Sequence, residues 1–183
     1  TYDELRFPMN MVQVRGPGWT PSDAYYQCRY AVLREPLGFV RGAEVLSDDA
    51  DAIHAFVDDQ DEAIVCVGRA HLIPEESDGS QSDFPGGSGP KTPSFGPLSK
   101  QENRPAIQIR QMGTLLSSRR NGLAAKVLTA LESESKNIFS AKIGLLQARE
   151  QAIPFYEAAG WIVIDQPYSI PNVGPHRSMM KLL

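Results

Sequence analysis

The hexapeptide Arg119, Arg120, Asn121, Gly122, Leu123, Ala124 sets two cations and a glycine immediately before an apolar, helix-like run. A helix that starts there leaves its first N–H groups unpaired, and its aligned peptide dipoles make that end attractive to anions. Gly122 has no side chain, so backbone can approach a ligand closely, and Ala124 is the next smallest residue. Arg119 and Arg120 can add charge-assisted hydrogen bonds to phosphoryl oxygens. That is the chemistry of a pyrophosphate site. The turn lacks both the Gly-Lys-Ser/Thr of a nucleotide P-loop and the three-glycine spacing of a dinucleotide fold, and an ordinary basic turn is the other reading of the same residues.

Few other residues can do chemistry. Glu44 precedes a predicted hairpin, His54 sits on its first strand and His176 beside the last strand, and each is a candidate base facing an acceptor. Each also has a plainer reading, Glu44 as a solvated loop carboxylate and His54 as a hydrogen-bonded strand residue, while His71 has no distinguishing feature. Tyr156, in "PFYEAAGW", reads on its own as an aromatic packing a helix against a sheet. The acidic "SDDAD", residues 47–51, lacks the glycine and distal glutamate of a calcium loop and reads as a solvated turn. Cys28 and Cys66 lack zinc-site spacing, so they are expected to be reduced core thiols, and no metal is expected.

These residues must be carried by strands and helices, and the patterning supplies them. "RFPMNMVQVRG" is predicted to be a strand. A helix follows, with Thr20 as cap, Pro21 in its first position and Ala24, Tyr25, Cys28, Ala31 and Val32 at helical spacing. "AIHAFVD" and "EAIVCVGRAHLI" form an antiparallel hairpin across the polar turn "DDQD". Residues 74–104, rich in Pro, Gly and Ser, are expected to be a long, mobile, exposed loop. "AIQIRQMGTL", "GLAAKVLTALESESKN" and "AKIGLLQA" make a strand, helix, strand unit. "EQAIPFYEAAG" is a short helix ended by Gly160, and "WIVIDQ" and "HRSMMKLL" are closing strands. The sum is a single α/β (α+β) domain over residues 1–183, with a mixed, mostly antiparallel sheet of about six or seven strands flanked by helices.

Composition agrees with such a domain. The 183 residues, 42% hydrophobic and 22% charged, suit one soluble core, and no run approaches the roughly 20 apolar residues of a membrane helix. The opening "TYDELRFPMN" has neither the basic start nor the apolar core of a secretory signal, so the cytoplasm is the expected compartment. A net charge of −4 argues against a nucleic-acid module that would use Arg119 and Arg120 on a phosphate backbone.

At "RRNGLA" the sequence resembles the Gcn5-related N-acetyltransferase superfamily, whose acyl-CoA signature is Gln or Arg, two residues, Gly, one residue, then Gly or Ala. "RQMGTL" is similar to the strand before that signature and "AREQAIPFYEAAGW", residues 148–161, to a later family segment. "AVLREPLG" and "PHRSMMKL" resemble a bacterial branch. The resemblance covers nearly the whole chain outside residues 74–104. It implies the acyl-CoA N-acyltransferase fold, with acetyl-CoA as cosubstrate and an amine of a small molecule or protein as acceptor. A catalytically silent acyl-CoA binder of the same fold is the alternative. It further implies that Met112, Gly113 and Thr114 lend backbone groups to the pantetheine arm. Arg119, Arg120, Asn121, Gly122, Leu123 and Ala124 would hold the pyrophosphate, and Tyr156 would protonate the departing thiolate. Arg149 stands where many members carry an asparagine that contacts the cofactor. Dimers are common in the superfamily, and no segment here demonstrates one.

Overall fold

Alternating apolar residues make the central strands and helical spacing makes the covering helices. The computed structural model describes residues 11–59, 61–85, 89–96 and 100–183. The elements are β1 (Val12–Arg15), α1 (Asp23–Leu33), β2 (Ile53–Asp58), β3 (Ile64–Leu72), β4 (Ala106–Thr114), α2 (Leu123–Phe139), β5 (Ile143–Arg149), α3 (Ile153–Ala158), β6 (Ile162–Val163), β7 (Tyr168–Ile170) and β8 (Gly174–Leu182). They form one eight-stranded sheet in the order β1-β2-β3-β4-β5-β8-β6, with β7 also on β8. Only β4 and β5 are parallel. Among the described residues no helix is long and apolar enough to cross a membrane.

Adjacent residues of a strand face opposite sides of the sheet, so two cores form. Ala55, Val57, Leu146 and Ala148 pack with Val127, Leu128 and Leu131 of α2 and with Tyr156 and Trp161. Phe56 and Val67 face the other way, onto Tyr25 and Cys28 of α1. Cys28 and Cys66 are free and buried, and burial pushes the Cys28 thiol up to about 12.

Three expectations shift. The α1 cap is Ser22, whose hydroxyl accepts from the Tyr25 N–H at 3.2 Å, two residues later than Thr20. "YSI" at residues 168–170 adds an eighth strand, too short to carry a periodic signal. Residues 1–10, including the first five residues of the first predicted strand, lie outside the described residues.

The 74–104 segment has no regular strand or α-helix among its described residues, in keeping with its composition, but it is packed. Phe95 and Thr92 are buried, Phe95 against Ile73, Ala106, Ile143 and Leu145. The Arg110 guanidinium donates to the Gln81 carbonyl at 2.8 Å, and Gln147 Nε2 to Thr92 Oγ1 at 3.2 Å. The segment therefore covers the sheet face bearing the strands' polar residues, and those residues satisfy its backbone.

Beneath α1 lies a buried ionic group. Arg29 donates to Asp49 at 2.8 Å and to the Tyr25 hydroxyl at 3.1 Å, while Arg69 contacts Asp48 at 2.8 Å and Asp49 at 3.3 Å. The two arginines hold both carboxyls below the usual carboxylate range against burial, which alone would raise them. Removing one partner strands the other charge in a dry interior. Asp49→Ala is expected to cost about 3–5 kcal/mol of stability, read as a lower urea midpoint at neutral pH; a midpoint unchanged from wild type would show that the group is not structural.

Candidate active site

β4 and β5 pair only at Ala106 with Ile143, Ile107 with Gly144 and Gln108 with Leu145. Beyond Gln108, β4 has no strand partner on that side among the described residues, although it runs to Thr114, and the sheet opens. A bulge deepens the opening. Between the pairs Arg69 with Arg110 and Val67 with Gly113, the single residue Gly68 faces the two residues Gln111 and Met112. Gln111 takes φ 52°, a left-handed value that a non-glycine residue holds only when its surroundings fix it. Here Arg69 Nε donates to the Gln111 side-chain oxygen, and Gln111 Nε2 donates to Asp83. Gly68 sits against the Met112 side chain, where any Cβ would collide.

Two cavities meet at this opening. The first, of about 420 Å³, is lined by Met112, Gly113 and Thr114 at the end of β4, by Arg119, Arg120 and Gly122 to Ala125 at the start of α2, and by Phe155 and Tyr156 of α3. Gly122 (φ 70°) and Arg120 (φ 68°) are both left-handed, and no side chain caps α2. The Lys126 N–H is bonded to the Gly122 carbonyl, which leaves the N–H groups of residues 123–125 as the helix's unpaired donors. Arg119 and Arg120 are exposed beside them, and Asn121, also exposed, donates to the Ser118 carbonyl at 3.2 Å. The structure thus brings together every residue from the pyrophosphate motif except Asn121 in the lining of one cavity.

The second cavity, of about 180 Å³, lies on the opposite face of the opening. Its walls include Leu33 and Arg34 after α1, Asp83, Phe84 and Thr92 from the 74–104 segment, Ile109 to Met112 of β4, Gln147 to Arg149 of β5, and His176. Met112, Ala152 and Tyr156 line both cavities, so Tyr156 stands at their junction. Its hydroxyl has no hydrogen-bond partner among the described residues, and burial raises its pKa, which keeps the phenol protonated. Its ring meets Phe155 and Trp161 edge-on at 5.0 and 6.2 Å, which fixes its direction.

The candidate bases separate. His176 is in the second cavity: its Nδ1 lies 2.8 Å from the Gly174 carbonyl, which can only accept, so Nδ1 carries the proton and Nε2 keeps its lone pair. Burial lowers its pKa, and the charge of Arg149 lowers it further. His54 and Glu44 lie outside both cavities. His54 Nε2 donates to the Asp49 carbonyl at 2.7 Å and Nδ1 accepts from the Tyr25 hydroxyl at 2.7 Å, so no lone pair is free, and burial pulls its pKa down to about 4. Glu44 is buried rather than solvated, accepting from the Gly42 N–H at 2.7 Å and Arg41 Nε at 3.1 Å as the organiser of its loop. His71 is likewise buried, its Nδ1 donating to the Leu72 carbonyl at 2.8 Å.

Arg149, which stands where many superfamily members carry a cofactor-contacting asparagine, lies away from the α2 turn. Ala148 faces the α2 core, so by strand alternation Arg149 falls in the row of Ile143, Leu145 and Gln147 on the other face, opposite His176 on β8. It lines the second cavity and not the phosphate turn. Arg34 and Arg110 lie inside the segments "AVLREPLG" and "RQMGTL" with no role assigned to them there, and Asp83 carries no motif, because their meeting depends on how the 74–104 segment folds.

No protein-family model and no curated protein matches the chain. Solved structures do. Escherichia coli ElaA is similar at TM-score 0.63 and 16% identity, with 94% of this chain and 99% of that one covered. A Pseudomonas aeruginosa acyl-CoA N-acyltransferase is similar at TM-score 0.63 and 13% identity over the same shares. Arabidopsis thaliana NAA60 in complex with acetyl-CoA is similar at TM-score 0.61 and 12% identity, again over 94% and 99%. The chain has the acyl-CoA N-acyltransferase fold.

The environment of His176 makes a direct prediction. Its imidazole is expected to titrate below the usual histidine range by proton NMR, and Arg149→Met to move the midpoint up by removing a nearby positive charge; a midpoint that falls or stays fixed in the variant would break the link between the two residues.

Proposed function

We propose that this protein is an N-acetyltransferase, moving the acetyl group of acetyl-CoA directly onto a primary amine of a small molecule or a protein. One observation supports this most: an anion-receptive helix start and a separate polar cavity open onto each other at a single buried phenol, within a fold whose solved examples include an acetyl-CoA complex. The residues present suit the cosubstrate. The unpaired N–H groups of residues 123–125 and the Arg119 and Arg120 guanidiniums match a pyrophosphate. The unpaired edge of β4 from Met112 to Thr114 matches the amide-bearing pantetheine arm.

Acetyl-CoA supplies an acyl group already activated as a thioester. Backbone N–H groups on the parted stretch of β4 can hold the carbonyl oxygen as it gains negative charge, and because they are fixed before reaction they need not reorganise. His176 Nε2 can accept the proton that an ammonium acceptor must lose before it attacks. Tyr156, held protonated by burial, can donate to the thiolate as it departs. His176 is deprotonated above its lowered pKa, so turnover is expected to be sustained at neutral pH and to fall as acid protonates the imidazole.

Calorimetric titration of acetyl-CoA tests the binding half. Gly122→Glu sets a carboxylate at the helix start; no atom lies within 4 Å of the new Cβ, so the fold survives at a left-handed strain of about 1–2 kcal/mol. Wild type is expected to bind and the variant, still cooperatively folded, to lose at least about tenfold in affinity. Failure of the wild type to bind would end the proposal. Tyr156→Phe tests the chemical half, with kcat falling about 10²-fold and KM for acetyl-CoA little changed; an unaltered kcat would leave the ring only a packing role. Turnover of any amine separates the enzyme from a silent binder of the same fold.

A further inference from the structure

The second cavity is unusually cationic for a site meant to receive an amine. Three guanidiniums line it, from Arg34, Arg110 and Arg149, against one carboxylate, Asp83, in a protein of net charge −4. Asp83 serves two of the three. Its carboxylate lies 3.9 Å from Arg34 and 3.7 Å from Arg110, and those two arginines are further tied to the carbonyls of Ala43, Asp83 and Gln81. Arg149 is different: half-buried at the end of β5, it has no hydrogen bond or ion pair among the described residues. Its charge nonetheless reaches both Arg34 and His176. An amine presented alone, as an ammonium, would be repelled by this wall. A planar guanidinium with every donor free is built to take a carboxylate, through two parallel N–H···O bonds.

We propose, on the acetyltransferase reading above, that the acceptor is a small amine bearing a carboxylate, such as a free α-amino acid, and that Arg149 binds that carboxylate. The cavity volume of about 180 Å³ suits a molecule of that size. The carboxylate on Arg149 brings the amine to the His176 and Tyr156 end of the cavity, whose positive surroundings favour the neutral, nucleophilic form of the amine. Asp83 holds Arg34 and Arg110 in place, which leaves Arg149 as the reader of the anion.

The test is calorimetric titration of the CoA-saturated protein with common α-amino acids, each paired with its own α-carboxamide. CoA binding is measured first, so that its absence counts against the acetyltransferase reading and not against this inference alone. With CoA bound, at least one amino acid is expected to bind at least tenfold more tightly than its carboxamide. Arg149→Gln should erase that preference, and Arg149→Lys, which keeps the charge and loses the fork, should restore part of it. The same pairs offered with acetyl-CoA should show the preference in KM and little of it in kcat. If no amino acid is preferred to its carboxamide, or the preference persists undiminished in Arg149→Gln, the inference is wrong.

Discussion

The parting of β4 from β5 is the constraint on which the rest of the molecule depends. Two parallel strands that stayed paired to their ends would satisfy each other's backbone groups and leave no space between them. Here pairing stops after three residue pairs, and the bulge at Gln111 and Met112 turns β4 away. A left-handed glutamine is uphill by about 1–3 kcal/mol, so it must be held. It is held through its side chain, between Arg69 and Asp83. Arg69 is fixed by Asp48 and Asp49, and Asp49 also by Arg29 of α1. A run of buried ion pairs thus reaches from the first helix to the mouth of the opening, linking stability to site geometry.

The opening has two unlike sides because the sheet has two unlike covers. On one side α2 supplies a helix start and a left-handed glycine, which together suit phosphate. On the other, Asp83 of the 74–104 segment and Arg34 after α1 join Arg110 of β4 and Arg149 of β5, a set that suits a charged small molecule. Strand parity assigns each side chain to one side or the other, and α3 sets Tyr156 where the two meet. On the proposed reading, the division lets a protein of net negative charge take two anionic groups, with cations concentrated locally at each end of one opening.

Much of the scaffold was legible in the sequence because it obeys simple periods. The spacing of Leu123, Val127, Leu128 and Leu131 is that of α2's buried face, and Gly122, read there only as allowing close approach, is the left-handed residue at its start. What stayed hidden depends on contacts between distant segments. Arg69, His71, Gln108 and Arg110 alternate with apolar residues, a pattern that describes a strand with one wet face. That face is instead dry: the Pro/Gly/Ser-rich segment accepts from Gln108 and Arg110, while Arg69 is tied to Asp48 and Asp49. Composition describes what such a segment lacks, a periodic apolar face, and says nothing of polar partners elsewhere. Arg149 could not be placed for a related reason: a motif position carries no strand parity, and parity turns the residue toward the second cavity. His54 and Glu44 had the right chemistry for a base, and only the fold reveals that their atoms are already engaged.

The most direct test of the account is a crystal structure of the protein with acetyl-CoA. The account predicts the pyrophosphate on the N–H groups that follow Gly122, the pantetheine arm along Met112 to Thr114, and the thioester in the opening with its sulfur within hydrogen-bond reach of the Tyr156 hydroxyl. A cosubstrate bound elsewhere, or one whose thioester lies away from the parted strands, would contradict it.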